Sequence, residues 1–158
     1  SCNQTCAAVL HLELLCSNRD AMPICIQPYF RIVNAGSVSE SLADYSLRYY
    51  YTKEPPVAES YACYYVNSGD CNQVAPAHFS NINPAKTGAN RYLELSFTAS
   101  AKSLDPGQFF ELQGGFCLAG DAKYTQAGDY SYTGSMDFAK SSKVTLFKKG
   151  VLVWGQVP

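Results

Sequence analysis

The chain is short of tryptophan, histidine, methionine and net charge. It has one Trp, two His, two Met and a formal charge of −1 in 158 residues. Near-neutrality removes the electrostatic case for nucleic acid or an anionic membrane surface, so neither is expected as a partner. Two histidines and no CxxC pair give a zinc site poor support. No apolar run approaches the roughly 20 residues that span a bilayer; "AAVLHLELLC" is broken by His11 and Glu13. There is no GxSxG, no HExxH and no phosphate-cradling glycine run. His11 falls in a strand pattern and His78 in a loop, neither beside a recognisable nucleophile. Thirteen scattered acids leave a two-carboxylate glycosidase formally open. Catalysis is nevertheless not expected. A sustained helical period, internal repeats and low-complexity tracts are missing as well.

Cysteine and tyrosine are abundant. The seven cysteines stand at 2, 6, 16, 25, 63, 71 and 117, which suggests an oxidising compartment with up to three disulfides and one odd thiol. Cys16 and Cys25 end one strand and begin the next, so the expected bridges are Cys16–Cys25 and, across a short loop, Cys63–Cys71. Cys2 or Cys6 then pairs with the other or with Cys117. The sequon Asn3-Gln4-Thr5 agrees with secretion. Ser1 is not followed by a basic-then-apolar leader, so the chain reads as a mature form or excised domain of an extracellular protein. Twelve Tyr fit an aromatic that sits half-wet with its hydroxyl in water.

Period-two alternation predicts an all-β fold. "YSLRYYYT" (45–52) sets Leu47, Tyr49 and Tyr51 against Arg48, Tyr50 and Thr52. "YLELSF" (92–97) sets Leu93, Leu95 and Phe97 against Tyr92, Glu94 and Ser96, and "FFELQ" (109–113) sets Phe110 and Leu112 against Phe109, Glu111 and Gln113. Further strands are expected over 8–16, 24–34, 60–66, 142–148 and 150–154, divided by "NAGS", "EPP", "DPG" and "KKG" turns. Eight or nine short strands make a two-sheet antiparallel sandwich, one domain over 1–158 with a Cys-containing N-terminal extension at 1–8. The stretch 67–90 reads as a long loop. Trp154, alternating within "VLVWG", is expected in the core.

Two polar constellations stand out. If strands 45–52 and 91–98 share a sheet, Arg48, Tyr50, Tyr92 and Glu94 project to its outside, and Tyr130 can join them. Phenol faces beside a guanidinium and a carboxylate suit a sugar; a ligand-free cross-strand ladder accounts for them equally well. Asp129, with Thr125 and Gly128, has the character of a hard-cation loop, and "YTKE", with Thr52 and Glu54, is the oxygen-rich segment that can converge on it.

In this order, "IQPYFRIVNAGS", "YSLRYYYT", "RYLELSF", "LDPGQFFELQGGF", "YTQAGDYSY" and "GVLVWGQVP" resemble the family 3 carbohydrate-binding modules of cellulases and cellulosome scaffolds, from about residue 9 to the end. The resemblance implies a nine-stranded antiparallel jelly-roll sandwich that binds calcium and a polysaccharide, cellulose or another β-glucan, beside a companion catalytic or structural domain. It implies calcium ligands at Thr52, Glu54, Thr125, Gly128 and Asp129, with Glu54 where Asp is usual and Gly128 offering only a carbonyl. It implies a groove of Arg48, Tyr50, Tyr92, Glu94 and Tyr130. The flat strip of the family departs here: Asp121 stands near the place of its tryptophan, Gly115 in place of an arginine, Tyr64-Tyr65 in place of Asp-His, and Cys71 in place of a tyrosine. Gln27 and Gln113 keep polar anchor positions. Tyr29, Tyr64 and Tyr65 form either a replacement platform or packing under a loop. The alternatives to polysaccharide binding are a structural or protein-interaction module without the strip and an accessory domain of a glycoside hydrolase.

Overall fold

The computed structural model describes residues 9–158. Among these residues the strands, in chain order, are β1 (Leu10–Cys16), β2 (Cys25–Ile26), β3 (Pro28–Asn34), β4 (Glu40–Ser41), β5 (Tyr45–Tyr51), β6 (Glu59–Val66), β7 (His78–Lys86), β8 (Ala89–Ser96), β9 (Ser103–Leu104), β10 (Phe109–Leu118), β11 (Ala139–Lys140), β12 (Val144–Lys148) and β13 (Val151–Trp154). Four of these are two-residue pairings, which leaves nine longer strands. One sheet runs β11-β1-β3-β10-β2, with β6 on the far edge of β10. The other runs β13-β12-β5-β8-β7, and every pair in both is antiparallel.

The alternation in the sequence decides which faces meet. Successive side chains point to opposite sides of a strand, so one apolar parity is enough to bury a face. Leu12, Leu14, Phe30, Ile32, Leu112 and Phe116 from the first sheet meet Leu47, Tyr49, Leu93, Leu95, Val144 and Leu146 from the second, all 1% exposed or less. Each such side chain contributes about 1.5–3 kcal/mol of transfer free energy. Tyrosine is part of this interior. Tyr49, Tyr51 and Tyr124 are fully buried, and Tyr49, Tyr51 and Tyr124 all pack within 4.7–6.1 Å of Phe116, ring centre to ring centre. The expectation of half-wet tyrosines therefore fails for these three.

Several other expectations are corrected. The stretch 24–34 is two strands, because the ladder is interrupted at Gln27. The supposed loop 67–90 holds a 3-10 turn at Cys71–Gln73 and the strand β7. β7, "HFSNINPAK", lies at a sheet edge, where polar residues and Pro84 are tolerated and no alternation is imposed. Trp154 is only half-buried: it packs on the rim of the core and donates from Nε1 to the Ser141 carbonyl at 2.9 Å.

Cys63 bridges Cys71, but Cys25 bridges Cys117 rather than Cys16. Parity explains the error. Cys16 takes the inward parity of β1 with Leu12 and Leu14, and lies buried 3.8 Å from the Tyr49 hydroxyl. Cys25 faces Cys117 directly across the β2–β10 ladder. Among the described residues Cys16 has no partner; Cys2, Cys6 and the sequon at Asn3 lie outside them.

Candidate functional site

The outer face of the β1-β3-β10-β6 sheet carries the flat-strip positions. β10 and β6 are in register at Gln113–Tyr65, then slip, so that Gly114 opposes Cys63 and Tyr64 is the extra residue of a bulge. A bulge re-aims its side chain. Here Tyr64 reaches over Gly115 with its hydroxyl: a Cβ on that glycine would stand 2.6 Å from the Tyr64 hydroxyl and 3.0 Å from Gln27 Cγ. The volume that an arginine would fill at 115 is taken by a tyrosine from the neighbouring strand. Tyr64 and Tyr65 are 47% and 48% exposed, while Tyr29 and Gln27 are half-buried on the same sheet. Gln113 donates from Nε2 to Glu111 Oε2 at 2.8 Å, which leaves its carbonyl oxygen to face outward partners. The two disulfides bracket this patch. Cys63–Cys71 ties the bulge to the 3-10 turn behind it, and Cys25–Cys117 joins β2 to β10 two residues past Gly115.

Further along the same face is a cluster that the sequence reading did not single out. Arg31 lies between two rings, its guanidinium carbon 4.7 Å from the centre of Phe109 and 4.0 Å from that of Phe138. Its Nε donates to Glu111 Oε1 at 2.7 Å. The alternation of "FFELQ" already set Phe109 and Glu111 on one face, opposite Phe110 and Leu112; Arg31 joins them only through the pairing of β3 with β10.

The groove lies on the opposite sheet. Arg48 pairs with Glu94 and Tyr50 with Tyr92 across β5 and β8. Arg48 Nε donates to Glu94 Oε2 at 2.6 Å, with its guanidinium over Tyr92 and Phe147 at 4.4 and 4.5 Å. Tyr50 is on the outer side as expected but is covered, only 2% exposed, by Tyr92 and Tyr130 at 5.9 and 5.8 Å between ring centres. The Tyr130 hydroxyl donates to the Gln156 carbonyl, and Val157 and Pro158 line a depression of about 260 Å³ with Arg48, Tyr50 and Tyr92.

Below the groove, Tyr51 closes β5 and Thr52 follows it, while Tyr124 and Thr125 open the "YTQAGD" loop. Both phenols donate to Glu59 Oε2, at 2.6 and 2.7 Å, and Arg91 Nε donates to Glu59 Oε1. Burial, then the bonded Glu59 carboxylate, hold both hydroxyls far above their ordinary pKa range. Thr52 and Thr125 follow these two clamped phenols directly in the chain. Asp129 reaches the same place, its Oδ1 accepting the Thr52 amide at 3.0 Å. Its Oδ2 is buried with no hydrogen-bond partner. Burial pushes the Asp129 carboxyl up to about 7 against the lowering effect of the Thr52 bonds, and the nearby Glu54 charge adds to the rise. Glu54, Thr125 and Gly128 are exposed around it. Among the described residues no three His, Cys, Asp or Glu side chains gather as a metal cluster. The donors present are two carboxylates, hydroxyls and backbone carbonyls, the oxygen set of a hard cation rather than of zinc.

The family model described as cellulose binding domain matches residues 12–155. Exoglucanase-2 of Thermoclostridium stercorarium is 34% identical over 151 residues, covering 95% of this chain and 16% of the relative. The chain spans no more than 20% of the first three curated relatives it matches. The family 3b module of the scaffoldin ScaA from Acetivibrio cellulolyticus superimposes with a TM-score of 0.89 at 34% identity, over 94% of this chain and 97% of that one. A biomass-sensing module from an RsgI-like protein of Clostridium thermocellum gives 0.90 at 27% identity, over 96% and 100%. Overall fold and sequence agree, and this chain belongs to the family 3 carbohydrate-binding modules, which are non-catalytic.

Proposed function

We propose that this module holds an insoluble or soluble β-glucan on the outer face of the β1-β3-β10-β6 sheet, through Tyr64 and Tyr65 with Gln27 and Gln113 as hydrogen-bonding anchors. The observation that carries the reading is Tyr64 reaching over Gly115: the face keeps an exposed ring where the sequence has lost an arginine. Relatives named as exoglucanase, xyloglucanase and cellulosomal scaffolding protein support a polysaccharide ligand, an extracellular setting and a companion domain in one precursor. Ring stacking and neutral hydrogen bonds are little screened, so binding resists high salt. The test is retention on crystalline cellulose, amorphous cellulose and chitin, with soluble glucans in an affinity gel. Tyr64→Ala with Tyr65→Ala removes binding and leaves the melting temperature nearly intact, because exposed side chains carry little stability. Retention by the double variant equal to the parent's moves the site to the Arg48–Tyr130 groove. No retention of the parent on any glucan leaves the scaffold reading.

Calcium belongs to the same proposal. Thr52, Glu54, Thr125, Gly128 and Asp129 would hold it, and the orphaned Asp129 Oδ2 is the observation in its favour. A bound dication neutralises a buried carboxylate and ties β5 to the 124–130 loop. It does no chemistry on the sugar.

A further inference from the structure

We infer that the Phe109–Arg31–Phe138 cluster is a second contact zone on the flat face, taking the continuation of the same uncharged glucan chain that Tyr64 and Tyr65 hold. This rests on the polysaccharide reading above and extends its footprint. Outward positions on β10 run Phe109, Glu111, Gln113 and Gly115, about 20 Å end to end at the rise of a strand. Tyr64 lies over Gly115 at one end, and Tyr65 is opposite Gln113. Phe109, 42% exposed, stands at the other end. The face thus presents rings at both ends of one line with an amide between them, the length of a short oligosaccharide.

The parts between the rings are held rigid. Glu111 accepts Arg31 Nε on one oxygen and Gln113 Nε2 on the other, so one carboxylate sets both the guanidinium and the anchor amide. No terminal N–H of Arg31 has an acceptor among the described residues, and the side chain is 32% exposed. Those donors match sugar hydroxyls. A pre-set donor group loses little entropy on binding.

Charge selects the ligand class. Arg31 lies between Glu13 and Glu111 in register, and Glu13 lies beside Lys140. The row Lys140–Glu13–Arg31–Glu111 sums to zero, so it offers nothing for a polyuronate and costs nothing to a neutral chain. The Arg48 site on the other sheet has the same make-up, a guanidinium between two rings with Nε on a glutamate. There Tyr130 and the 156–158 segment crowd the groove beside it, whereas Phe109 opens onto a depression of about 350 Å³ with Lys102 and Gln108.

Two measurements on the whole chain test this. Cello-oligosaccharide affinity is compared for the parent, Phe109→Ala, and Arg31→Gln with Glu111→Gln so that no charge is stranded, alongside Tyr64→Ala/Tyr65→Ala. Hydroxyl-radical footprinting of the parent reads Phe109 and Phe138 with and without a long and a short oligosaccharide. Loss of one aromatic contact weakens binding about two- to twelvefold. Phe109→Ala and the Arg31/Glu111 pair are expected to weaken long chains by that factor and short ones little, and the long chain is expected to protect Phe109 and Phe138. Polygalacturonate should not be retained. Unchanged affinity in both variants, with Phe109 unprotected in a parent that binds through Tyr64 and Tyr65, overturns the second zone and leaves the first. A parent that binds no glucan overturns both. If a variant does not fold, the footprint of the parent decides.

Discussion

Glu59 is where a single substitution tells most. Its side chain is 1% exposed and accepts two phenols and a guanidinium. Glu59→Ala strands all three donors and opens a void, and removing one partner of a buried pair costs about 3–5 kcal/mol. For a chain of this size each kcal/mol moves the melting temperature by about 2–4 °C, so a fall of about 6–20 °C is expected. Glu59→Gln keeps the volume. Its carbonyl can face Arg91, and the Tyr51 and Tyr124 hydroxyls can turn to accept from its amide, so the loss should be smaller, about 1–2 kcal/mol. Calorimetry of parent, Gln and Ala variants should give that order. Because Tyr51 and Tyr124 precede Thr52 and Thr125, the Ala variant should also lose most of whatever stabilisation calcium supplies. An Ala variant melting within about 2 °C of the parent would refute the account of Glu59 as the clamp under both loops. So would a Gln variant as damaged as the Ala one.

Removing calcium with chelator should lower the melting temperature by about 5–11 °C, taking a ligand at a hundredfold excess over Kd as about 2.7 kcal/mol, and Asp129→Ala should abolish the difference; an unchanged melt with metal-free protein removes the ion from the account. The Cys25–Cys117 bridge spans 92 residues of sequence, and replacing both by Ser should cost about 4–5 kcal/mol, read from denaturant midpoints, with non-reducing peptide maps checking the pairing. Glu40 gives an acid limb. Burial pushes its carboxyl up, but the Tyr45 hydroxyl at 2.7 Å and Lys148 Nζ at 3.0 Å outweigh this and hold it below its ordinary 4.5. A depressed carboxyl stabilises above its unfolded pKa and loses that contribution as pH falls through the folded one, so Glu40→Gln should flatten stability below about pH 4.5.

Much of the fold was legible because parity is a local property. Leu47, Tyr49 and Tyr51, or Leu93 and Leu95, declare their face without reference to any partner. What was not legible needed a partner. β7 sits at an edge, so its residues obey no alternation. Cys16 and Cys25 are close in sequence but take opposite parities, and Cys117, 92 residues from Cys25, shares its ladder position. The Asp129 loop was read from oxygen-bearing residues in two segments, yet the Glu59 clamp beneath it was not, since Glu59 lies just before the strand expected at 60–66 and its partners Tyr51, Arg91 and Tyr124 are distant in sequence. Phe109 and Glu111 were set on one face of their strand; that Arg31 joins them in one cluster depends on the β3–β10 register. Tyr50 shows the reverse case, a residue assigned to the right side whose cover by Tyr92 and Tyr130 comes from two other elements.

Tyr64 over Gly115 has a bearing on how such surfaces change over time. Two neighbouring strands share one patch of volume, and whichever strand supplies the bulk dictates a gap in the other. A glycine at 115 and a tyrosine in the bulge are then a matched pair: refilling 115 with a long side chain displaces the ring, and losing the ring leaves a dent. Changes at the two positions must travel together or pass through a face that is either crowded or pitted. Comparing sequences column by column scores the glycine as a lost contact, although the contact has moved about one strand spacing sideways. In this fold the unit that persists is the occupied patch, and the residue number that fills it is free to change.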